Sequence, residues 1–355
     1  VSIPPKTLRL NGADPEDVLR AAEILRSGGT VAFPTETVYG LGANALSLEA
    51  VEKIFVAKQR PHWDPLIVHI AARSQLASMV SAVSAQAKRL MEAFWPGPLT
   101  LLLPKTAAIP DAVTAGRPLV GVRMPAHPVA LALLRAANLP IAAPSANTFG
   151  HISPTTADHV LADLDGRIDA VLDGGPTDVG LESTVVGMSH DPEEHWDGLT
   201  LYRAGGVTTS MLESVIGIGG VIPYSILHRE GLEPESLPSP GVAIRHYAPR
   251  ARLVLLDQDF ARSNRPLELS LGENLDDQGA GIVGVMLPDE WNLSCADHTF
   301  RWGPWHQPEI LAQRLYTGLR ALDDAGCSVI ICPVPQSQGI SEAIRDRLRK
   351  AARSA

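Results

Sequence analysis

Apolar positions along the chain fall into helical stripes and short continuous runs separated by polar turns. Asp14-Pro15 followed by Val18, Ala21, Ala22 and Leu25 gives an N-cap, a proline at the first helical position and an apolar stripe at helical spacing. Gly28-Gly29 ends that helix, and Thr30 to Phe33 reads as a buried strand. The pattern then breaks. Pro34-Thr35-Glu36-Thr37-Val38-Tyr39-Gly40 is a polar loop with little hydrophobic reason to exist, which makes it the first functional candidate. A second helix runs from a Ser47 cap through Val51, Ile54 and Phe55 to Lys58, followed by a loop to Pro65 and a strand from Leu66 to Ile70.

The alternation continues with helices over 84–94, 129–137 and 154–164 and strands over 99–103, 119–124, 141–143, 170–173, 184–188 and 200–203. These predict an α/β domain with a substantial sheet over residues 1–212. Clustered Gly, Pro and charge mark 213–250 as an interdomain linker. Strands over 251–256, 282–287 and 328–332, with helices over 308–323 and 341–352, predict a small second α/β domain over 251–355; 257–279 is polar and irregular.

Composition narrows the classes. A chain of 355 residues suits about two domains, each with its own core. Its net charge of −9, and the excess of 21 acidic over 16 basic residues within 1–212, speak against a general nucleic-acid binder. An RNA-binding module with a local basic cleft is the competing class. The three cysteines, Cys295, Cys327 and Cys332, form no CxxC and predict neither a disulfide framework nor a structural zinc site. No signal-peptide pattern and no long apolar run are present, so a soluble, cytoplasmic protein without membrane contact is expected.

Several cations and hydroxyls fall at the ends of the expected strands and helices. Lys58 lies on the buried stripe of its helix, where a lysine either reaches past the core to water, caps its own helix carbonyls or serves a ligand. Arg60 follows two residues on. Pro144-Ser145-Ala146-Asn147 directly succeeds an apolar strand, and the C-terminal edge of strands is where open α/β sheets usually bind ligands. Ser153-Pro154-Thr155 reads as an N-cap that would offer N–H groups to phosphate. Arg123, Arg203 and Leu181-Glu182-Ser183-Thr184 sit at further strand ends. Such a set suits an anionic nucleotide and a zwitterionic amino acid. Neither GxGxxG nor a P-loop motif occurs.

The stretch from Gly28 to Leu41, Lys58-Gln59-Arg60-Pro61, Pro65-Leu66-Ile67-Val68-His69, Trp95-Pro96-Gly97-Pro98-Leu99-Thr100, Pro144-Ser145-Ala146-Asn147 and Gly180-Leu181-Glu182-Ser183-Thr184 resemble, in order and spacing, the YrdC-type threonylcarbamoyl-AMP synthases. Ser239-Pro240-Gly241, Arg245-His246-Tyr247-Ala248-Pro249 and the small C-terminal domain resemble the long form of that family. The resemblance implies an open twisted mixed sheet with flanking helices and a concave cleft, plus a smaller Rossmann-like α/β domain. It implies a nucleotidyltransferase that joins L-threonine, bicarbonate and ATP, with Mg²⁺, into threonylcarbamoyl-AMP and pyrophosphate. The product would feed the tRNA threonylcarbamoyl-transfer machinery, for tRNAs that read ANN codons, without direct tRNA binding. Matched by motif, Thr35, His69, Arg123, Ala143 and Ser183 would line the threonine pocket. Lys58 and Arg60, the implied catalytic pair, would hold ATP together with His62, Thr114, Ser145, Asn147, Ser153, Arg203 and Tyr247. The linker carrying Tyr247 would close over the nucleotide. Asp64 stands where the family commonly has Asn, Val242-Ala243-Ile244 replaces a stretch with a lysine and an aromatic, and Gly339-Ile340-Ser341 stands for Gly-Leu-Gly.

Overall fold

The structure is a computed structural model that describes residues 6–191, 196–224, 237–239, 247–256, 281–292 and 296–353. Its contacts divide the chain into two compact units: residues 1–149, 153–178 and 182–243 form one, and residues 150–152, 179–181 and 244–355 the other.

The first unit runs β1 (Leu8–Asn11), α1 (Pro15–Arg26), β2 (Val31–Pro34), β3 (Tyr39–Asn44), α2 (Leu48–Lys58), β4 (Ile67–His69), α3 (Ala85–Phe94), β5 (Leu99–Pro104), α4 (Asp111–Thr114), β6 (Leu119–Arg123), α5 (Pro128–Ala137), β7 (Ile141–Ala142), α6 (Ala157–Leu164), β8 (Ala170–Asp173), β9 (Thr184–Asp191), β10 (Trp196–Arg203), α7 (Thr209–Ile216) and β11 (Val221–Pro223). Among the described residues these strands form one sheet in the order β1-β8-β2-β3-β7-β4-β6-β5-β9-β10-β11. It is mixed: β4 and β6 are parallel, whereas β7 runs antiparallel to both β3 and β4. Helices cover both faces. Val51, Ile54 and Phe55 of α2, Leu90 of α3 and Val160 of α6 pack with Leu41, Val68 and Val122 on one side. Leu25 of α1 and Leu133 and Leu134 of α5 pack with Val31, Phe33 and Leu172 on the other. Burial on both faces explains why the central strands read as continuous apolar runs.

The expected helix starts are seen at α1, where Asp14 accepts from the Glu16 N–H, and at α2, where Ser47 accepts from Ala50. Differences from expectation have local causes. The polar loop after β2 ends early, because Tyr39 already belongs to β3. The α6 cap is Thr156, so Ser153 does not cap that helix. Strands β1, β3 and β11 and helices α4 and α7 are additional, and residue 212 falls inside α7.

The second unit runs β12 (Arg252–Leu256), β13 (Val283–Pro288), β14 (His298–Gly303), α8 (Pro308–Asp324), β15 (Val329–Pro333) and α9 (Ser341–Ala351). Four strands, one more than expected, form a parallel sheet ordered β12-β15-β13-β14. The additional edge strand, β14, carries its signal in the alternation of Phe300 and Trp302; the Trp302 indole is fully buried and donates to the Leu311 carbonyl at 2.8 Å. Residues 240–246, 257–280 and Cys295 lie outside the described residues. No described helix is long and apolar enough to cross a membrane.

Candidate active site

Lys58 closes α2, and Gln59 after it adopts a left-handed conformation (φ 54°) that turns the chain into the Arg60 loop. The Lys58 side chain is 1% exposed. It neither reaches water nor caps its own helix: its ammonium donates to the carbonyls of Ser145 and Asn147, and Phe149 N–H donates back to the Lys58 carbonyl at 2.9 Å. The turn after β7 therefore wraps the end of α2. Burial, then the Arg60 charge, holds the Lys58 pKa well below its usual value.

Arg60 is fixed in the same wall. Its guanidinium donates to the carbonyls of Asp64 (3.1 Å) and Pro65 (2.9 Å), lies 2.9 Å from the Asp64 carboxylate and faces the Phe149 ring. Asp64 is fully buried, which raises its pKa, while Arg60, Lys58 and Arg203 pull it back. The charges of all three cations thus converge on one carboxylate. Thr114, on α4, has a buried hydroxyl without a hydrogen-bond partner among the described residues, and its neighbour Val113 accepts from Leu66 N–H beside the Asp64 turn.

A second cluster surrounds Arg123, at the end of β6 and in register with His69 of β4. Arg123 Nη2 lies 2.6 Å from Glu36 Oε1, Nη1 donates to Thr37 Oγ1 at 2.9 Å, and Nε donates to the Gly97 carbonyl at 3.2 Å. The hydroxyls of Thr35 and Thr37 share a 2.7 Å hydrogen bond. His69 is buried with Nδ1 unpartnered among the described residues, and burial, reinforced by the Arg123 charge, lowers its pKa to about 3. Ala143 donates its N–H to Ile67 at 2.8 Å and lines the sheet beside Gly40, where a Cβ would come within 3.2 Å of the Ala143 methyl.

The two clusters are joined through the segment after α3. Gly97 accepts from Arg123, while Thr100 shares a 2.8 Å hydroxyl contact with Ser183, which in turn accepts from Arg203 at 3.0 Å. Ser153 donates to Glu182 at 2.6 Å next to this junction. Glu36, Thr37, Thr100 and Glu182 are the residues that the sequence reading left without a role, although each lies inside a motif it singled out. Because β6 and β7 run in opposite directions, Arg123 and Ser145 do not share one strand-end edge. The parallel-sheet rule does not transfer to this mixed sheet, and long side chains and loops assemble the clusters instead.

Two predicted residues stand apart from these contacts. His62 is exposed, stacked on Phe55 at 4.4 Å and bonded to Glu52 at 2.8 Å. Tyr247 belongs to the second unit, where its buried ring stacks on Tyr316 and receives the Arg347 guanidinium at 5.1 Å.

An open mixed α/β sheet that buries a lysine and several arginines among backbone carbonyls, hydroxyls and carboxylates suits a compact, highly charged ligand. A family model described as Telomere recombination (Sua5, YciO, YrdC) matches residues 23–203, and one described as Threonylcarbamoyl-AMP synthase, C-terminal domain, matches 207–353. The chain belongs to this family. It is 44% identical to a Bacillus subtilis protein named Threonylcarbamoyl-AMP synthase over 98% of this chain and 95% of that one. A Pyrococcus abyssi protein of the same name is 40% identical over 93% and 92%. The crystal structure of P. abyssi Sua5 complexed with L-threonine superposes with a TM-score of 0.85 at 38% identity, covering 98% of this chain and 97% of that one.

Proposed function

We propose that the chain is an L-threonylcarbamoyladenylate synthase, a nucleotidyltransferase that makes threonylcarbamoyl-AMP and pyrophosphate from L-threonine, bicarbonate and ATP. The observation that carries this reading is the burial of Lys58 together with three arginines, Arg60, Arg123 and Arg203. The relatives' shared name agrees with it.

Threonine's carboxylate pairs with Arg123, and its hydroxyl and methyl are read by Thr35, His69, Ala143 and Ser183. His69, neutral at ordinary pH, offers hydrogen bonds without repelling the ammonium of the incoming amino acid. The amine captures carbon dioxide derived from bicarbonate. A carbamate oxygen then attacks the α-phosphate in line, the new O–P bond replacing the one to departing pyrophosphate. Both partners are anions, so positioning and charge neutralisation by Lys58, Arg60 and Arg203 are the protein's main contribution, and no protein nucleophile is needed. An anionic ligand also favours the ammonium form of Lys58 against the burial that opposes it. Mg²⁺ enters with ATP as part of the substrate. Thr114, Ser145, Asn147 and Ser153 complete the ATP site; the parts of His62 and Tyr247 rest on motif resemblance alone. The product serves the tRNA-modifying machinery of the cytoplasm, without direct tRNA binding by this chain.

Purified protein should release pyrophosphate only when threonine, bicarbonate and ATP are all present, and Lys58→Ala should slow release by about 10²-fold, a typical loss for one electrostatic donor. Release independent of threonine, or a fully active Lys58→Ala protein, would refute the assignment.

A further inference from the structure

We infer that Glu36 is a positioning residue for substrate recognition: it presets the Arg123 guanidinium so that its remaining N–H groups meet the carboxylate of the amino acid. The inference rests on the function proposed above and adds a residue to it. Arg123 has five N–H donors. Two donate hydrogen bonds, Nε to the Gly97 carbonyl and Nη1 to Thr37, while Nη2 lies in an ion pair 2.6 Å from Glu36 Oε1 without a hydrogen-bond partner among the described residues, so each terminal nitrogen keeps an N–H for a ligand. That pair is the fork geometry that takes a carboxylate bidentately. Glu36 is held rigidly for this task. Its Oε2 accepts from Ala126 N–H at 3.0 Å, its side chain is 9% exposed, and its loop is pinned by Thr35 Oγ1 donating to Val38 and by Tyr39 N–H donating to Pro154 at 2.9 Å.

The arrangement separates two roles. The Arg123 charge attracts the amino-acid carboxylate, while Glu36 fixes its plane and supplies the counter-charge that keeps a buried arginine tolerable before substrate arrives. The carboxylate makes and breaks no bond in the reaction, so it is held equally in the ground state and the transition state. Loss of its alignment therefore raises KM and leaves kcat nearly unchanged.

The test is steady-state kinetics of Glu36→Gln, which keeps volume and the acceptor for Ala126 N–H. The threonine KM should rise about tenfold or more, with kcat within about threefold and the ATP KM unchanged. Threoninamide, which lacks the carboxylate charge, should be affected far less than threonine. Should Glu36→Gln fold poorly, Thr37→Val removes the second tether while keeping the ion pair, and should raise the threonine KM by about threefold. An unchanged or lowered threonine KM, or a fall in kcat with both KM values intact as lost folded protein would give, overturns the inference. Absence of threonine-dependent product in the unmodified enzyme would instead count against the functional reading itself.

Discussion

His69 shows how one side chain links the site to stability. Its pKa falls to about 3 in the folded protein, against about 6.5 when unfolded, so between those values the unfolded chain binds the extra proton. The stabilisation is complete above about pH 6.5 and is lost as pH falls towards 3. Comparing urea midpoints of the unmodified protein and His69→Gln between pH 7 and 4 isolates this contribution. The unmodified protein should lose stability more steeply, by about 2–4 kcal/mol across the window; parallel curves would mean that His69 is not held neutral. The burial of Lys58 was legible from its place on the apolar stripe of α2. The Glu36–Arg123 pair was not, because its partners are 87 residues apart in sequence and nothing local to either encodes the contact.

At the scale of elements, strong helices were legible because capping and periodicity agree at α1 and α2. Strand β3 was obscured by its own packing. Its glycines weaken strand propensity, yet a Cβ at Gly42 would come within 2.8 Å of both Ile141 and Phe33, so the closeness of β2 and β7 excludes a side chain there. The paired glycines Gly205-Gly206 have the composition of an ordinary turn, but Gly205 is a site of close backbone approach. A Cβ on it would sit 2.4 Å from the Glu182 carbonyl oxygen and the Thr184 nitrogen, atoms of the segment that holds Ser183. Backbone cannot swing aside as a flexible side chain can. Gly205→Ala should therefore destabilise by about 1–3 kcal/mol or more and displace Ser183 from Arg203, lowering activity beyond what the loss of folded protein explains. Thermal unfolding and activity per folded molecule check this, and a neutral substitution would show that the two segments are not in contact.

For the whole molecule, composition suits two domains and speaks against an RNA-binding surface, but the sequence pattern predicts that the first domain ends at residue 212. The structure places that point in the middle of α7, whose Leu212 is fully buried and whose Val215 carbonyl accepts from Arg89. Beyond α7, β11 adds Val221 to the same core, extends the sheet in parallel beside β10, and is followed by Tyr224 N–H donating to Leu201 at 2.9 Å. A chain cut after 212 loses Val215, Ile216 and Val221 from that core and exposes the hydrogen-bonding edge of β10, a template for aggregation. A chain cut after Tyr224 keeps them. At about 1.5 kcal/mol or more for each well-buried aliphatic side chain, less for the partly buried Val215 and Ile216, the longer fragment should be more stable by about 2–4 kcal/mol. Urea midpoints of fragments 1–212 and 1–224 measure the difference, and calorimetry asks whether the longer one binds threonine. Equal midpoints would mean that α7 and β11 are appendages, and that the apolar residues they add to the core contribute nothing to holding the catalytic sheet together.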